Sequence, residues 1–258
     1  MVHITINGKV VKAHKGEMLI KAIRRQQIDI PALCDHEALE PSGSCRLCMV
    51  EITREDWDGW KKLVTSCLYP VEEGLIVSTH SGDVLEVRKT ILDLYLARCP
   101  QSEVIQQMAE EYGIVKTSYE ALPDADNCIM CYACTRACEV LGKSAIAAVN
   151  RGRDKKISGP FGEAPPDCIG CLSCAKICPT NVIEWHDENG TRHIWGRTFE
   201  LISCKECGKK TIAREFADYL IADRDIPAEY FEVCDDCKRA DLARKMGGIV
   251  DQAKEVAL

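Results

Sequence analysis

The sequence predicts an α+β protein built from several small domains. Three observations point to that class: an alternating apolar pattern at the N-terminus, helical periodicity in the middle, and 17 cysteines among 258 residues. A hydrophobic share of 46% and a charged share of 28% are typical of a folded globular chain. The formal net charge of -7 argues against nucleic acid as a partner, because that partner requires a basic surface.

The cysteines carry most of the functional signal. The opening residues lack the apolar core of a signal peptide, and no stretch reaches the ~18 apolar residues of a membrane span. We therefore expect a cytoplasmic protein without direct membrane insertion. In a reducing compartment, cysteines serve as metal ligands rather than disulfides. They form four groups of four, with Cys99 left over.

Residues 1–80 are predicted to form a β-grasp domain. Alternating apolar residues flank an Asn7-Gly8 turn, the strongest short hairpin signal. The further elements are a helix over residues 17–26 and strands over 49–53 and 75–79.

The first cysteine group follows this hairpin. It consists of Cys34, Cys45, Cys48 and Cys67. Four thiolates at this spacing suit a [2Fe–2S] cluster, and the small residues 42–44 would let amide N–H groups point at the sulfurs. A zinc site or unligated thiols are the alternatives.

Residues 81–122 are predicted to be a helical connector. Apolar residues recur at helical spacing over residues 84–98, and a second helix over 102–112 begins with Ser102 as N-cap. Cys99 lies between these helices and is expected to be a small buried hydrophobe.

Residues 123–200 carry two copies of one motif. The cysteines are Cys168, Cys171, Cys174 and Cys178, followed by Pro179, and Cys128, Cys131, Cys134 and Cys138, followed by Glu139. This C-x2-C-x2-C-x3-C spacing is that of bacterial [4Fe–4S] proteins, in which the fourth cysteine ligates the other cluster. The predicted sets are Cys128, Cys131, Cys134 and Cys178 for one cluster, and Cys168, Cys171, Cys174 and Cys138 for the other.

The tail, residues 201–258, holds a pair of C-x2-C motifs. They are formed by Cys204 and Cys207, and by Cys234 and Cys237. Such a pair indicates a structural zinc ion or a further iron–sulfur cluster, and sequence favours zinc only slightly. Two helices are predicted, over residues 211–222 and 238–257.

These motifs together resemble a known family. The matching segments are Pro31–Cys34, Ser44–Glu51, Cys128–Cys138 with Arg136, Val149–Gly152, Gly159–Gly162 and Asp167–Pro179. Residues 1–183 are similar to the iron–sulfur region of the complex I large subunit. The same module recurs in iron-only hydrogenases, in NAD-linked formate dehydrogenases and in the small diaphorase subunit of bidirectional nickel–iron hydrogenases. The last of these is closest in size.

The chain departs from the family at one point. The family usually carries a His and three Cys between its two-iron and four-iron domains, binding a further [4Fe–4S] cluster. Here that region holds Cys99 alone and no His, so we expect that cluster to be absent.

The resemblance implies an electron-transfer subunit of a multisubunit oxidoreductase. Its implied partners are a flavoprotein that handles NAD(P)H and a catalytic redox subunit, such as a hydrogenase or formate dehydrogenase. No dinucleotide-binding G-x-G-x-x-G motif occurs, so a substrate-converting role is not expected. The alternatives are a freestanding polyferredoxin-like shuttle and a metal-dependent regulatory protein that uses the C-terminal motifs.

Overall fold

The computed structural model describes residues 1–122 and 125–256. These divide into two compact units. The first comprises residues 1–157 and 174–182, and the second comprises residues 158–173 and 183–258.

The first unit begins with a five-stranded mixed sheet. Its strands are β1 (Val2–Ile6), β2 (Lys9–Ala13), β3 (Met49–Thr53), β4 (Lys62–Thr65) and β5 (Ile76–Ser78), in the order β2-β1-β5-β3-β4. Strands β1 and β5 pair in parallel, and the other pairs are antiparallel. Alternate residues of β1 are buried, as period-2 patterning requires.

Helix α1 (Leu19–Arg24) packs on this sheet and is shorter than the predicted helix over residues 17–26. Tertiary hydrogen bonds explain the late start, because Val71 N–H donates to the Glu17 carbonyl and Leu19 N–H to the Tyr69 carbonyl, both at 2.8 Å. The left-handed backbone of Gln27 lies just beyond its C-terminus.

Helices α2 (Gly82–Arg98) and α3 (Glu103–Glu111) form the connector. The Ser81 side chain caps α2 by accepting from Val84 N–H, whereas Ser102 stands at the N-cap of α3 without a side-chain capping bond. One face of α2 is buried at every fourth position: Val84, Arg88, Leu92 and Leu96.

The rest of the first unit contains short elements around the cysteine motifs. They are α4 (Ala133–Val140), β6 (Ala147–Val149), β7 (Lys156–Ser158) and α5 (Ser173–Lys176). Strands β6 and β7 pair, and the last residue of β7 and the first residue of α5 belong to the second unit.

The second unit is centred on a four-stranded sheet. Its strands β8 (Trp185–Glu188), β9 (Thr191–Ile194), β10 (Arg197–Ser203) and β11 (Lys210–Ala213) pair in sequence order, and helices α6 (Arg214–Arg224) and α7 (Asp235–Val256) follow. The division predicted between residues 200 and 201 falls inside β10. Residues 211–213, predicted as helix, form β11 because Leu201 pairs with Ala213 in the sheet. Residue 257, in the last predicted helix, lies outside the described residues.

Across residues 1–122 and 125–256, no helix combines the length and apolar character that a membrane crossing needs.

A buried arginine ties the second unit together. Arg192 is 7% exposed and makes two 2.9 Å bonds to the Asp187 carboxylate. It also donates to the carbonyls of Gly170, at 3.2 Å, and Thr211, at 3.4 Å.

We predict that Arg192→Gln destabilises this unit by about 2–3 kcal/mol, because several charge-assisted hydrogen bonds are lost together. Arg214→Gln, which removes an exposed arginine paired with Glu200, is the matched control and should change stability little. Urea denaturation followed by circular dichroism measures both, and equal midpoints for the two variants would contradict the prediction.

Candidate iron–sulfur and metal centres

The four cysteines of the first group lie in the loops between α1 and β3 and just after β4. Cys34, Cys45, Cys48 and Cys67 are each 1% exposed or less. Left-handed backbone at Gly43 and Arg46 turns the loop around them, and Cys45 N–H donates to the Cys34 sulfur at 3.4 Å. A Cβ at Gly43 would overlap the Leu68 side chain. This loop is therefore a tight, water-excluding cradle of amides around four sulfurs.

The sulfurs of this loop share protons with one another. Hydrogen bonds from the Cys45 and Cys67 thiols hold the pKa of Cys34 well below its usual range, and the pKa values of these two donors are raised. A hydrogen bond with Cys67 also lowers the pKa of Cys48 to about 7. The hydrogen bonds thus favour the thiolate form at Cys34 and Cys48 and the protonated form at Cys45 and Cys67.

The first C-x2-C-x2-C motif lies in the first unit together with Cys178. Met130 and Tyr132 have left-handed backbone, and the N–H of Met130 donates to the Cys128 sulfur. The charges of Cys131, Cys128, Cys174 and Cys178 act on Cys134, so cysteines of both predicted sets lie near it. The assignment of Cys128, Cys131, Cys134 and Cys178 to one four-iron cluster stays a prediction.

Burial shapes the thiols of this motif. It raises the pKa of Cys131 to about 11 and that of Cys134 to about 12. Thiolates at these positions require a positively charged partner, since desolvation favours the protonated form. Iron held by these cysteines would supply that charge, and the thiols would lose their protons to bind it.

The second motif repeats this backbone pattern. Gly170 and Leu172 are left-handed, at the positions equivalent to Met130 and Tyr132. Arg197 donates to the Cys168 carbonyl at 2.8 Å, and in the first unit Ala145 N–H donates to the Cys138 sulfur at 3.2 Å. The predicted second set, Cys168, Cys171, Cys174 and Cys138, draws on both units, and its assembly around one cluster stays a prediction.

Helix α2 contacts both cysteine regions of the first unit. The Tyr95 hydroxyl donates to the Cys45 carbonyl at 3.1 Å, and Arg98 Nε donates to the Cys128 carbonyl at 2.6 Å. Arg88, fully buried, donates to the Met49 carbonyl at 2.7 Å, next to Cys48. The sequence did not indicate these three donors as part of the site. Only Arg88 had a signal, because it is a charged residue four positions from Val84 and from Leu92 on the buried face of α2.

One apolar core joins the two-iron loop to the first four-iron motif. It contains Cys34 and Cys45 from the loop, Cys131 from the motif, and Leu92 and Leu96 from α2. Cys34 and Cys131 are close enough for their charges to interact. Cys99, 0% exposed, belongs to the same core as a small buried residue, and burial raises its pKa to about 12.

The C-terminal cysteines form the tightest group. The sulfurs of Cys204, Cys207, Cys234 and Cys237 all lie within 4.8 Å of one another, and within residues 1–122 and 125–256 no other set of three or more candidate ligands is so close. The Cys207 and Cys234 sulfurs are 3.7 Å apart. Backbone N–H groups of Cys234 and Cys207 lower the pKa of Cys204 to about 6, whereas hydrogen bonding with Cys234 raises that of Cys237 to about 12.

Comparisons with known proteins agree with these features. Residues 1–82 match the family described as 2Fe-2S iron-sulfur cluster binding domain, and residues 165–184 match the 4Fe-4S binding domain. The NADP-reducing hydrogenase subunit HndD of Solidesulfovibrio fructosivorans is 30% identical over 76% of this chain, which covers 37% of that protein. The mitochondrial NADH-ubiquinone oxidoreductase 78 kDa subunit of Neurospora crassa is 28% identical over 70% of this chain, which covers 27% of it.

A solved structure shows the same relationship. The H2-reduced NAD+-reducing [NiFe]-hydrogenase superposes with a TM-score of 0.59 and 25% identity, covering 70% of this chain and 85% of that one.

These matches, together with the buried thiols and the backbone N–H groups that donate to them, define an iron–sulfur protein with a 2Fe-2S and a 4Fe-4S binding domain. Among such proteins, it is related to the iron–sulfur module shared by NADH-ubiquinone oxidoreductase and NAD(P)-linked hydrogenases. The curated relatives are longer than this chain, which spans well under half of each.

Gly170 provides a sharp test of the second motif. A Cβ there would stand 2.8 Å from the Phe199 ring, at a φ of +66° that disfavours side chains. We predict that Gly170→Ala lowers the bound iron by about four atoms per chain, because the loop between Cys168 and Cys171 must shift. Gly162→Ala is the control, because Gly162 also has a positive φ but an added Cβ there would meet no other atom within 4 Å. Iron assays that find full loading of both variants would contradict the prediction.

Proposed function

We propose that this chain is the iron–sulfur electron-transfer subunit of a multisubunit soluble oxidoreductase in the cytoplasm. It relays single electrons between a subunit that handles flavin and NAD(P)H and a catalytic subunit, such as a hydrogenase or formate dehydrogenase. The apolar core that contains both Cys34 and Cys131 supports this proposal, because these are candidate ligands of two different clusters. The names of the relatives support the same role.

The proposed cofactors are one [2Fe–2S] and two [4Fe–4S] clusters. Each, when bound, supplies a one-electron carrier whose potential depends on burial, hydrogen bonds and nearby charge. The chain's own residues provide that environment: buried sulfurs exclude water, and amides such as Cys45 N–H donate to them.

For the tail we propose a single zinc ion. Tetrahedral zinc with Zn–S bonds of ~2.3 Å holds its sulfurs ~3.8 Å apart. The 3.7 Å separation of the Cys207 and Cys234 sulfurs supports this choice. A four-iron cluster spreads its thiolates more widely, because each thiolate binds a different iron.

Metal analysis of anaerobically purified protein tests the cofactor assignment. We expect about ten irons and one zinc per chain, with distinct two-iron and four-iron EPR signals after reduction. About fourteen irons without zinc would place a fourth cluster in the tail. Iron near zero under strict anaerobiosis would refute the electron-transfer role.

Cys237→Ser isolates the tail site. We predict that it loses the zinc ion and keeps all iron, because removing one of four thiolates opens the site. Cys99→Ala, which removes the one cysteine outside the four groups, should keep both metals. Loss of iron rather than zinc from Cys237→Ser would contradict the zinc assignment.

The partner assignment is tested by reduction. We expect dithionite to reduce the isolated holoprotein, and NADH or NADPH to reduce it only when the flavoprotein subunit is added. Reduction of the isolated holoprotein by NADH or NADPH would contradict the assignment of nucleotide handling to a separate flavoprotein subunit. Purification from the native source as a single diffusing chain would favour the shuttle instead.

A further inference from the structure

Arg136 links the two cysteine regions of the first unit. It lies on α4, two residues after Cys134 and two before Cys138. Its Nη2 donates to the carbonyl of Cys34 at 2.7 Å, and its Nη1 donates to the carbonyl of Glu40 at 2.6 Å. One guanidinium therefore joins the helix of the first four-iron motif to the two-iron loop, about 100 residues earlier in the chain.

The charge of this guanidinium is not neutralised by the described protein. No carboxylate within residues 1–122 and 125–256 forms an ion pair with Arg136. Its Nε is buried and has no hydrogen-bond partner. An uncompensated cation at a partly buried position is costly unless a negative charge lies nearby.

The negative charge is available once iron is bound. Four thiolates around an oxidised cluster core carry a net charge of about −2 at each site. The guanidinium donates to the Cys34 carbonyl of one such site, and it extends from α4, the helix that carries Cys134 of another. Cys34 and Cys131 approach each other in the same region, which the shared core keeps away from solvent.

We propose that Arg136 is a positioning residue for electron transfer: its charge raises the reduction potentials of the two-iron site and the Cys128 site together. The inference rests on the proposed function and extends it to the residue that sets the reduction potentials. A cation stabilises the reduced, more negative state of each neighbouring site, and low-dielectric surroundings strengthen the effect. The two hydrogen bonds also fix the Cys34 loop against α4.

EPR-monitored redox titration of the holoprotein tests this role. Arg136→Gln removes the charge and keeps a hydrogen-bond donor, whereas Arg136→Lys keeps the charge. Arg153→Gln, at an exposed position, removes the same charge and serves as the control. Iron content is measured on every sample.

We expect Arg136→Gln to keep its full iron content. At a fixed potential, the ratio of reduced to oxidised cluster should be about tenfold lower at both the two-iron site and the Cys128 site. For one electron this corresponds to about 59 mV toward negative potential. Arg136→Lys should restore both potentials to near the wild-type values, and Arg153→Gln should leave them unchanged because water and salt screen its charge.

Three results would overturn the proposal. They are unchanged potentials in iron-replete Arg136→Gln, an equal shift in Arg153→Gln, or no restoration by Arg136→Lys. If Arg136→Gln loses iron, the Arg136→Lys variant decides between the two roles. Retained iron with wild-type potentials in Arg136→Lys supports the proposed effect of the positive charge, whereas loss of iron from this variant too shows a purely structural role. Wild-type protein without iron would instead refute the proposed function itself.

Discussion

The packing of the Cys34 loop against the Cys131 motif is the constraint on which the first unit depends. Both loops are built from left-handed turns and buried sulfurs, and neither offers a large apolar surface of its own. Both cysteine regions pack against α2 and α3 in one shared apolar core. Because side chains in such a core are close-packed, the distance between the two regions is fixed by the fold.

The connector helices serve this packing directly. Tyr95 and Arg98 of α2 donate to the carbonyls of Cys45 and Cys128, so one helix holds both cysteine regions at once. The segment where the resemblance leads one to expect a further cluster instead contributes Cys99 to the apolar core. The connector helices and the two cysteine regions thus contribute to one apolar core within this unit.

Much of this architecture could be predicted from the sequence, because local patterns specify it. Strand β3 covers residues 49–53, as predicted, and the connector helices lie within a few residues of their predicted bounds. The late start of α1 and strand β11 could not be predicted, since each depends on pairing with residues distant in sequence.

For the site, cysteine spacing predicted four groups, and the structure shows the four tail sulfurs of one group close together. The donors on α2 and the reach of Arg136 to Cys34 arise from tertiary packing, which spacing does not encode. The closeness of the four tail sulfurs is likewise a result of folding, which spacing alone does not measure.

The repeated left-handed positions of the two motifs have a consequence for their side chains. The motifs share backbone handedness at Met130 and Gly170, and again at Tyr132 and Leu172, while the residue types differ. The Tyr132 ring faces the Lys155 ammonium at 5.1 Å, and bare Gly170 seats the Phe199 ring. The two copies of the motif thus pack against different neighbours, the first against a lysine just before β7 and the second against an aromatic ring of β10.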